Sequence, residues 1–523
     1  MPEEKQITRS AGVIGLSTLL SRVFGLVRDM LMSFVFGTGI VAEAFYVAFM
    51  IPNLLRRLVG EGSLTIAFIS VFTKVRQEEG EEEARRLAAT FWLFMTVVLA
   101  GLTALGMAFS REITALFTSA EYQAVPYQFD LAADMTRELF PYLFLIGLVA
   151  VSMGILNSYR HFFAPAFAPV LLNVCWIAAV VLLHGPLGDS GLSAMIGVLA
   201  GGVVQLLLQV PFLWRITKGV WLGINFRHPA LRRIGALMVP SAFAMGVIQI
   251  NTLVATYFVT QFPGGRSQLY YSTRLTEFPY AIFTLAVSTA VLPFLSEQAG
   301  RKDSEALAGT MSYGLRLVAF IIIPASVGLA VISTPLIHLI YEHGSFTAVD
   351  TSRTAMMLVM ACTGLWAVAG VRIVAQVFYA VEDMVTPLVA ASAALVVNAA
   401  CCFGFSILIG RSGVPLAIAV AAIANFLVLA FRLRSKVSGI PGKQVASTVL
   451  KSIIASVPMA LFVLALNRLS IWDQSGVLHV KIPVLAAQVA GGAVIYMAVA
   501  WILKARELSS VADIVKRRMG GGR

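Results

Sequence analysis

Three ionisable residues fall inside the first apolar stretch of this chain, where STLLSRVFGLVRDMLMS carries Arg22, Arg28 and Asp29. At about 100° per residue, Ser17, Thr18, Ser21, Arg22, Gly25, Arg28, Asp29 and Ser33 share a helical arc of roughly 160°, and the opposite face is apolar. A second stretch repeats the pattern with Glu43, Asn53, Arg56, Arg57 and Glu61 on one arc, and Pro52 permits a bend between its ends. Further along, Arg274 and Glu277 stand three residues apart, and Arg372 lies in another apolar run. An isolated charge in hydrocarbon costs at least about 2.5–3.5 kcal/mol, so charges gathered on matching faces require mutual pairing or a water-filled cavity. Arg22, Arg28, Arg56, Arg274 and Arg372 exceed the acids Asp29, Glu43, Glu61 and Glu277 by one, so pairing alone cannot neutralise the set. The guanidinium fork suits two-point capture of phosphate, and the excess points to an anionic ligand. Two plainer arrangements stay open: Arg28 with Asp29, and Arg274 with Glu277, as ion pairs that only fix packing, and Arg56 with Arg57 reaching a membrane surface.

The elements that must position these charges are membrane helices. Apolar residues make up 58% of 523 positions and charged residues 13%, with a mean hydropathy of +0.84; soluble domains run at about 45–50% and 25%. Runs long enough to cross about 30 Å of hydrocarbon lie near 11–37, 41–73, 87–110, 137–157, 164–184, 191–214, 234–260, 269–296, 308–332, 351–380, 385–408, 413–433, 446–467 and 482–503. The expected fold is therefore an all-α polytopic membrane protein of about fourteen transmembrane helices. Basic residues concentrate in alternate connections, among them Lys74 to Arg86, Arg160, Arg215 to Arg233, Arg432 to Lys443 and the tail Lys504 to Arg523. By the positive-inside rule both termini are cytoplasmic. The net charge of +12 is largely this bias, and no motif supports nucleic-acid binding.

The chain also resembles itself at an offset of roughly 220–230 residues. RHFFAPAFAPVLLN from 160 matches EDMVTPLVAASAALVVN from 382, and GLSAMIGVLAGGVVQ from 191 matches GVPLAIAVAAIANF from 413. Two six-helix lobes follow, 1–220 and 230–440, with two additional helices and a basic tail in 441–523. Six is even, so the lobes enter the membrane in the same orientation, a parallel repeat around a central cavity suited to alternating access.

Nothing in the sequence competes as an enzyme. His161, His184, His228, His338, His343 and His479 are scattered, no phosphate-binding GxxxxGK[ST] run occurs, and Cys175, Cys362, Cys401 and Cys402 sit in apolar runs without ligand spacing. No cofactor or metal is expected, and the acidic run EEGEEEARR at 78–86 reads as a solvated helix start.

The segments SRVFGLVRD at 21–29, FGTGIVAEAFYVAFMIPNLLRRLVGEG at 36–62, FAPAFAPVLLN at 163–173 and YYSTRLTEFP at 270–279 resemble the MurJ lipid II flippases, of the multidrug/oligosaccharidyl-lipid/polysaccharide exporter superfamily. The resemblance implies transport of lipid II, the undecaprenyl-diphosphate-linked disaccharide pentapeptide, from the inner to the outer leaflet of the bacterial inner membrane. It places cavity arginines at Arg22, Arg28, Arg56 and Arg274 and acidic partners at Asp29, Glu43 and Glu277, and 446–503 becomes a groove for the lipid tail. Arg372 joins this set from the residue pattern alone, and membrane lipids and cell-wall synthesis proteins are the remaining expected partners. The acid that some relatives use for sodium has no counterpart in 234–260, 388–408 or 413–431. A flippase for another polyprenyl-linked glycan, or a cation-coupled multidrug exporter, are the alternatives; five arginines around a cationic guest disfavour the latter.

Overall fold

The computed structural model describes residues 2–60, 63–217, 225–437, 439, 441–473, 476 and 478–508. The described residues are almost wholly helical and contain no strand. Two compact units divide the chain at 267/268.

The first unit contains α1 (Pro2–Phe36), α2 (Ile40–Gly60), α3 (Ser63–Glu78), α4 (Glu81–Ala108), the short α5 (Ser110–Phe117) and α6 (Ala120–Gln123), α7 (Pro126–Ser158), α8 (Phe163–Leu187), α9 (Leu192–Thr217) and α10 (Pro229–Val259). It ends in the first turn of α11 (Gly265–Pro279). The central α7 packs on α2, α4 and α9, while α1 lies along α8. Close approach depends on small residues. A Cβ at Gly106 would meet the Phe140 ring, and one at Gly197 would stand 2.7 Å from the Trp176 Cα. The repeat places α10 at the head of the second lobe, yet α10 packs on α3 and α2, and Thr256 bonds the Met50 sulfur.

The second unit continues through a π turn (Tyr280–Thr284) into α12 (Leu285–Gly300), then α13 (Ser304–Val331), α14 (Ser333–Tyr341), α15 (Ala348–Cys362), α16 (Leu365–Ala380), α17 (Val385–Ile409), α18 (Gly413–Leu433), α19 (Gly442–Asn467) and α20 (Leu478–Ile502). Its apolar core is built from α12, α13, α16 and α18, including Met311, Ile322, Ile373 and Phe378. The last pair docks on α13: the Tyr496 hydroxyl donates to the Phe320 carbonyl at 2.7 Å, and Glu507 accepts from Arg316 and Thr448.

Each of the fourteen apolar runs falls on helix where it is described. Among the described residues ten stretches are long and apolar enough to cross a membrane, and one of them, residues 385–433, holds two of the expected runs. The runs at 11–37, 41–73 and 234–260 lie on helices outside those ten. Apolar residues crowd the outer surface, among them Val181, Leu182, Phe403, Leu408, Phe431 and Trp501. That exposure suits lipid as solvent and would be untenable in water.

The internal repeat is visible in the caps. At Arg160 (φ 59°) the chain takes a left-handed step, and the His161 N–H reaches back to the Leu156 carbonyl; at Glu382 (φ 60°) Asp383 does the same to Phe378. These are the reverse turns that close helices by satisfying their last carbonyls. A 25-residue helix follows in each case and ends at Gly188 or Gly410, both at φ 64°. The spacing is 222 residues at both ends (382 − 160 and 410 − 188).

Candidate functional site

In the first unit Arg28 and Asp29 are buried, with 6% and 0% of their surface exposed. Arg28 donates to Asp29 Oδ1 through Nε at 3.0 Å and Nη2 at 2.7 Å, and through Nη1 to Asn173 Oδ1 at 3.0 Å. The Asn173 amide in turn donates to the Ser21 and Pro169 carbonyls, so one side chain of α8 ties both the α1 backbone and its arginine. The guanidinium lies 4.4 Å from the centre of the Trp176 ring, a cation–π contact inside a desolvated site. Asn173 and Trp176 were not singled out in the sequence; the available signal was their amide and indole in an otherwise apolar run.

Glu43 is also buried, on α2. Its carboxylate accepts from the Arg266 N–H at 2.9 Å and from the Ser267 N–H and hydroxyl at 3.1 Å each. It thus caps the first turn of α11, where unpaired N–H groups and the helix dipole favour an anion. Nearby, burial pushes the Tyr122 phenol well up, and the Glu43 charge pushes it the same way.

Arg22 sits on the same face of α1 as Arg28, half-buried, and makes no hydrogen bond or ion pair with any described residue. Arg56 donates to Asn53 Oδ1 at 2.9 Å, one turn back along α2. The Arg57 side chain and Glu61 lie outside the described residues, as does the tail beyond 508.

In the second unit Arg274 Nη1 donates to Glu277 Oε2 at 2.9 Å, a partly exposed pair on α11. Exposed Arg372 on α16 donates to the Ser288 hydroxyl of α12 at 3.3 Å, and Gln376, one turn on, bonds the same hydroxyl. Arg22, Arg28 and Asp29 on α1 and Glu43 and Arg56 on α2 thus belong to the first unit, and Arg274, Glu277 and Arg372 to the second.

At the other acidic cluster, Glu79, Glu83 and His228 come together. His228 Nδ1 accepts from the Ala230 N–H at 3.1 Å, so the ring proton belongs on Nε2, which faces Glu83 at 3.3 Å. The imidazole caps α10 and has no lone pair left for a metal.

A family model described as lipid II flippase MurJ matches residues 32–486. The lipid II flippase MurJ of Burkholderia cenocepacia is 36% identical over 427 residues, covering 80% of this chain and 82% of that protein. A probable lipid II flippase MurJ of Bdellovibrio bacteriovorus is 31% identical over 519 residues, covering 97% of each. A solved structure titled lipid II flippase MurJ, inward closed conformation, superposes with a TM-score of 0.76 at 27% identity, covering 94% of this chain and 98% of that one. An inward-facing multidrug resistance MATE family transporter shares the fold at 18% identity, with a TM-score of 0.68 and coverage of 80% and 96%. With helices throughout the described residues and matches along most of its length, this multi-span membrane protein belongs to the lipid II flippase MurJ family.

Proposed function

We propose that the protein carries lipid II from the inner to the outer leaflet of the bacterial inner membrane by alternating access, with both termini cytoplasmic and arginines holding the diphosphate. The observation that carries the headgroup role is Arg22, a cation at mid-helix in an apolar span with no partner among the described residues. A charge in that position requires a mobile counter-ion, and a guanidinium suits a diphosphate oxygen pair. Arg56 on α2, and Arg274 and Arg372 in the second unit, are the further arginines assigned to the headgroup. Arg28 differs, because Asp29, Asn173 and Trp176 already engage it; it orients the arc on which Arg22 lies and contributes positive potential. Asp29 and Glu43 serve as its counter-charge and as a helix cap. The two lobes, 1–220 and 230–440, are the moving halves implied by the sequence repeat, and 446–503 offers the tail groove. Outward movement of an anionic headgroup gains about 2.3 kcal/mol per charge per 100 mV of inside-negative potential.

The test is lipid II binding by purified Arg22→Ala and Arg22→Lys proteins. Loss of one charge-assisted pair weakens Kd by about ten- to a hundred-fold for the alanine form, with partial recovery in lysine. An unchanged Kd in correctly inserted Arg22→Ala refutes the headgroup role. Depletion in the source bacterium accumulates lipid II in the inner leaflet; accumulation of a different polyprenyl-linked glycan would replace the substrate.

A further inference from the structure

In the second unit two membrane spans depart from regular helical geometry around one cleft. α11 passes into the π turn at Tyr280. Between α15 and α16, the N–H groups of Thr363 and Gly364 bond carbonyls three residues back, at Met360 and Ala361, which interrupts the helical ladder. A Cβ at Gly364 would stand 2.4 Å from the Ala419 Cα, so this break presses directly on α18. Thr273, Thr276 and Glu277 line one side of the cleft, with Leu365, Val368 and Ile418 among its apolar walls. π turns recur at functional sites, and broken helices at membrane depth are tolerated where they are buried or line a cavity.

On α11 the polar side chains of this cleft turn acceptors toward it. Thr273 Oγ1 donates its one hydrogen within α11, to the Leu269 carbonyl at 2.7 Å with the Tyr270 carbonyl at 3.1 Å, and Thr276 Oγ1 donates to Thr273 at 2.8 Å. Toward the cleft both hydroxyls therefore present lone pairs. Glu277 gives one carboxylate oxygen, Oε2, to Arg274, and makes no other bond to a described residue. An anion would meet the Glu277 carboxylate, and the Tyr280 hydroxyl, which also lines the cleft, can accept as well as donate. A bare metal ion seeks about six oxygen ligands, and the facing wall supplies side-chain carbon. A primary ammonium on an aliphatic chain matches both halves, with three N–H donors for the oxygens and methylenes for Leu365, Val368 and Ile418.

We infer that this cleft binds a primary alkylammonium group, with Thr273, Thr276 and the second oxygen of Glu277 as its acceptors. The inference rests on the proposed substrate, whose pentapeptide supplies such a group wherever it contains a diamino residue. The Arg274–Glu277 pair then divides the work on one zwitterionic headgroup, Arg274 turned to its anionic part and Glu277 to its amine.

Two measurements on the full-length protein in lipid nanodiscs test this. In the first, n-pentylammonium chloride is titrated against thermal stability, with n-pentanol and sodium chloride as controls. Saturable stabilisation by the amine alone is expected; equal stabilisation by sodium would make this a metal-ion site and overturn the assignment. In the second, Kd is compared for lipid II bearing a free diamino side chain and for the same molecule acetylated at that amine. The free amine should bind about ten-fold tighter, the worth of one charge-assisted bond. Thr276→Val, which keeps shape but removes the acceptor, should shrink that ratio to about two-fold or less, and Thr276→Ser should restore it. Leu365→Trp, which fills the alkyl side, should shrink it as well, so the outcome does not depend on a single variant. Equal Kd values for the two lipids with the unaltered protein would overturn the inference and leave lipid II as substrate. Failure of either lipid to bind, with a Thr276-sensitive pentylammonium site intact, would instead remove the proposed substrate and uphold the chemistry of the cleft.

Discussion

Replacing Arg28 by methionine should destabilise the first unit far more than replacing Arg28 and Asp29 together. The Asp29 side chain is 1% exposed, and its Oδ1 accepts two bonds from Arg28. Removing the guanidinium leaves a desolvated carboxylate, a loss that typically costs about 3–5 kcal/mol. The lost contact with Trp176 adds about 2 kcal/mol at most. Exchanging both residues for apolar groups of similar volume, Arg28→Met with Asp29→Leu, removes the charge and its need together, and such exchanges are often neutral or better. The double-mutant cycle should therefore return a coupling of at least about 2 kcal/mol. At roughly 2 °C per kcal/mol for a unit of this size, Arg28→Met alone lowers Tm by roughly 6–10 °C, and the double variant recovers most of that. The assay is thermal unfolding of purified full-length variants in one detergent at fixed lipid content. A single variant within about 1 kcal/mol of the parent, or a double variant no better than the single, refutes the account of Arg28 as structural partner. Lipid II binding by the double variant then reports separately on any ligand role of the guanidinium.

Three further outcomes are expected. Glu43→Ala should speed hydrogen exchange at the Arg266 and Ser267 amides by about ten-fold, because a lost helix cap costs about 1–2 kcal/mol; unchanged protection would refute the capping role. Asp383 is held below its ordinary carboxylate value of 3.8 by the Thr386 N–H and hydroxyl and by Lys436; its contribution is therefore present above that pH and lost as pH falls through the depressed value, so Asp383→Asn should lower stability slightly at neutral pH and flatten the profile below about pH 4, while an unaltered acid limb would count against it. With the native cysteines replaced, Glu79→Cys should resist an impermeant thiol reagent in intact cells and Asp189→Cys should react, and the reverse pattern would overturn the cytoplasmic placement of both termini.

The sequence by itself determined the class of the molecule. An apolar fraction of 58%, runs long enough to span lipid and basic residues in alternate connections leave few choices, because hydrocarbon admits only segments whose backbone bonds are satisfied within themselves. The repeat was legible for the same reason, since a cap such as Arg160 with His161, and its counterpart at Glu382 with Asp383, depends on local chain geometry. The charged arc of α1 was legible too, as side-chain periodicity follows directly from helical pitch. Partnership was not. Arg28 is bound by its immediate neighbour and by Asn173, 145 positions away, and Glu43 is bound by backbone N–H groups at 266 and 267, which carry no side-chain signature. The packing of α10 on α2 and α3, and the cleft where the π turn at Tyr280 and the break at Gly364 occur, arise only when helices distant in sequence compete for the same space. Local pitch and hydropathy decide which residues a helix offers to its interior; tertiary contact alone decides which of those offers another part of the chain accepts.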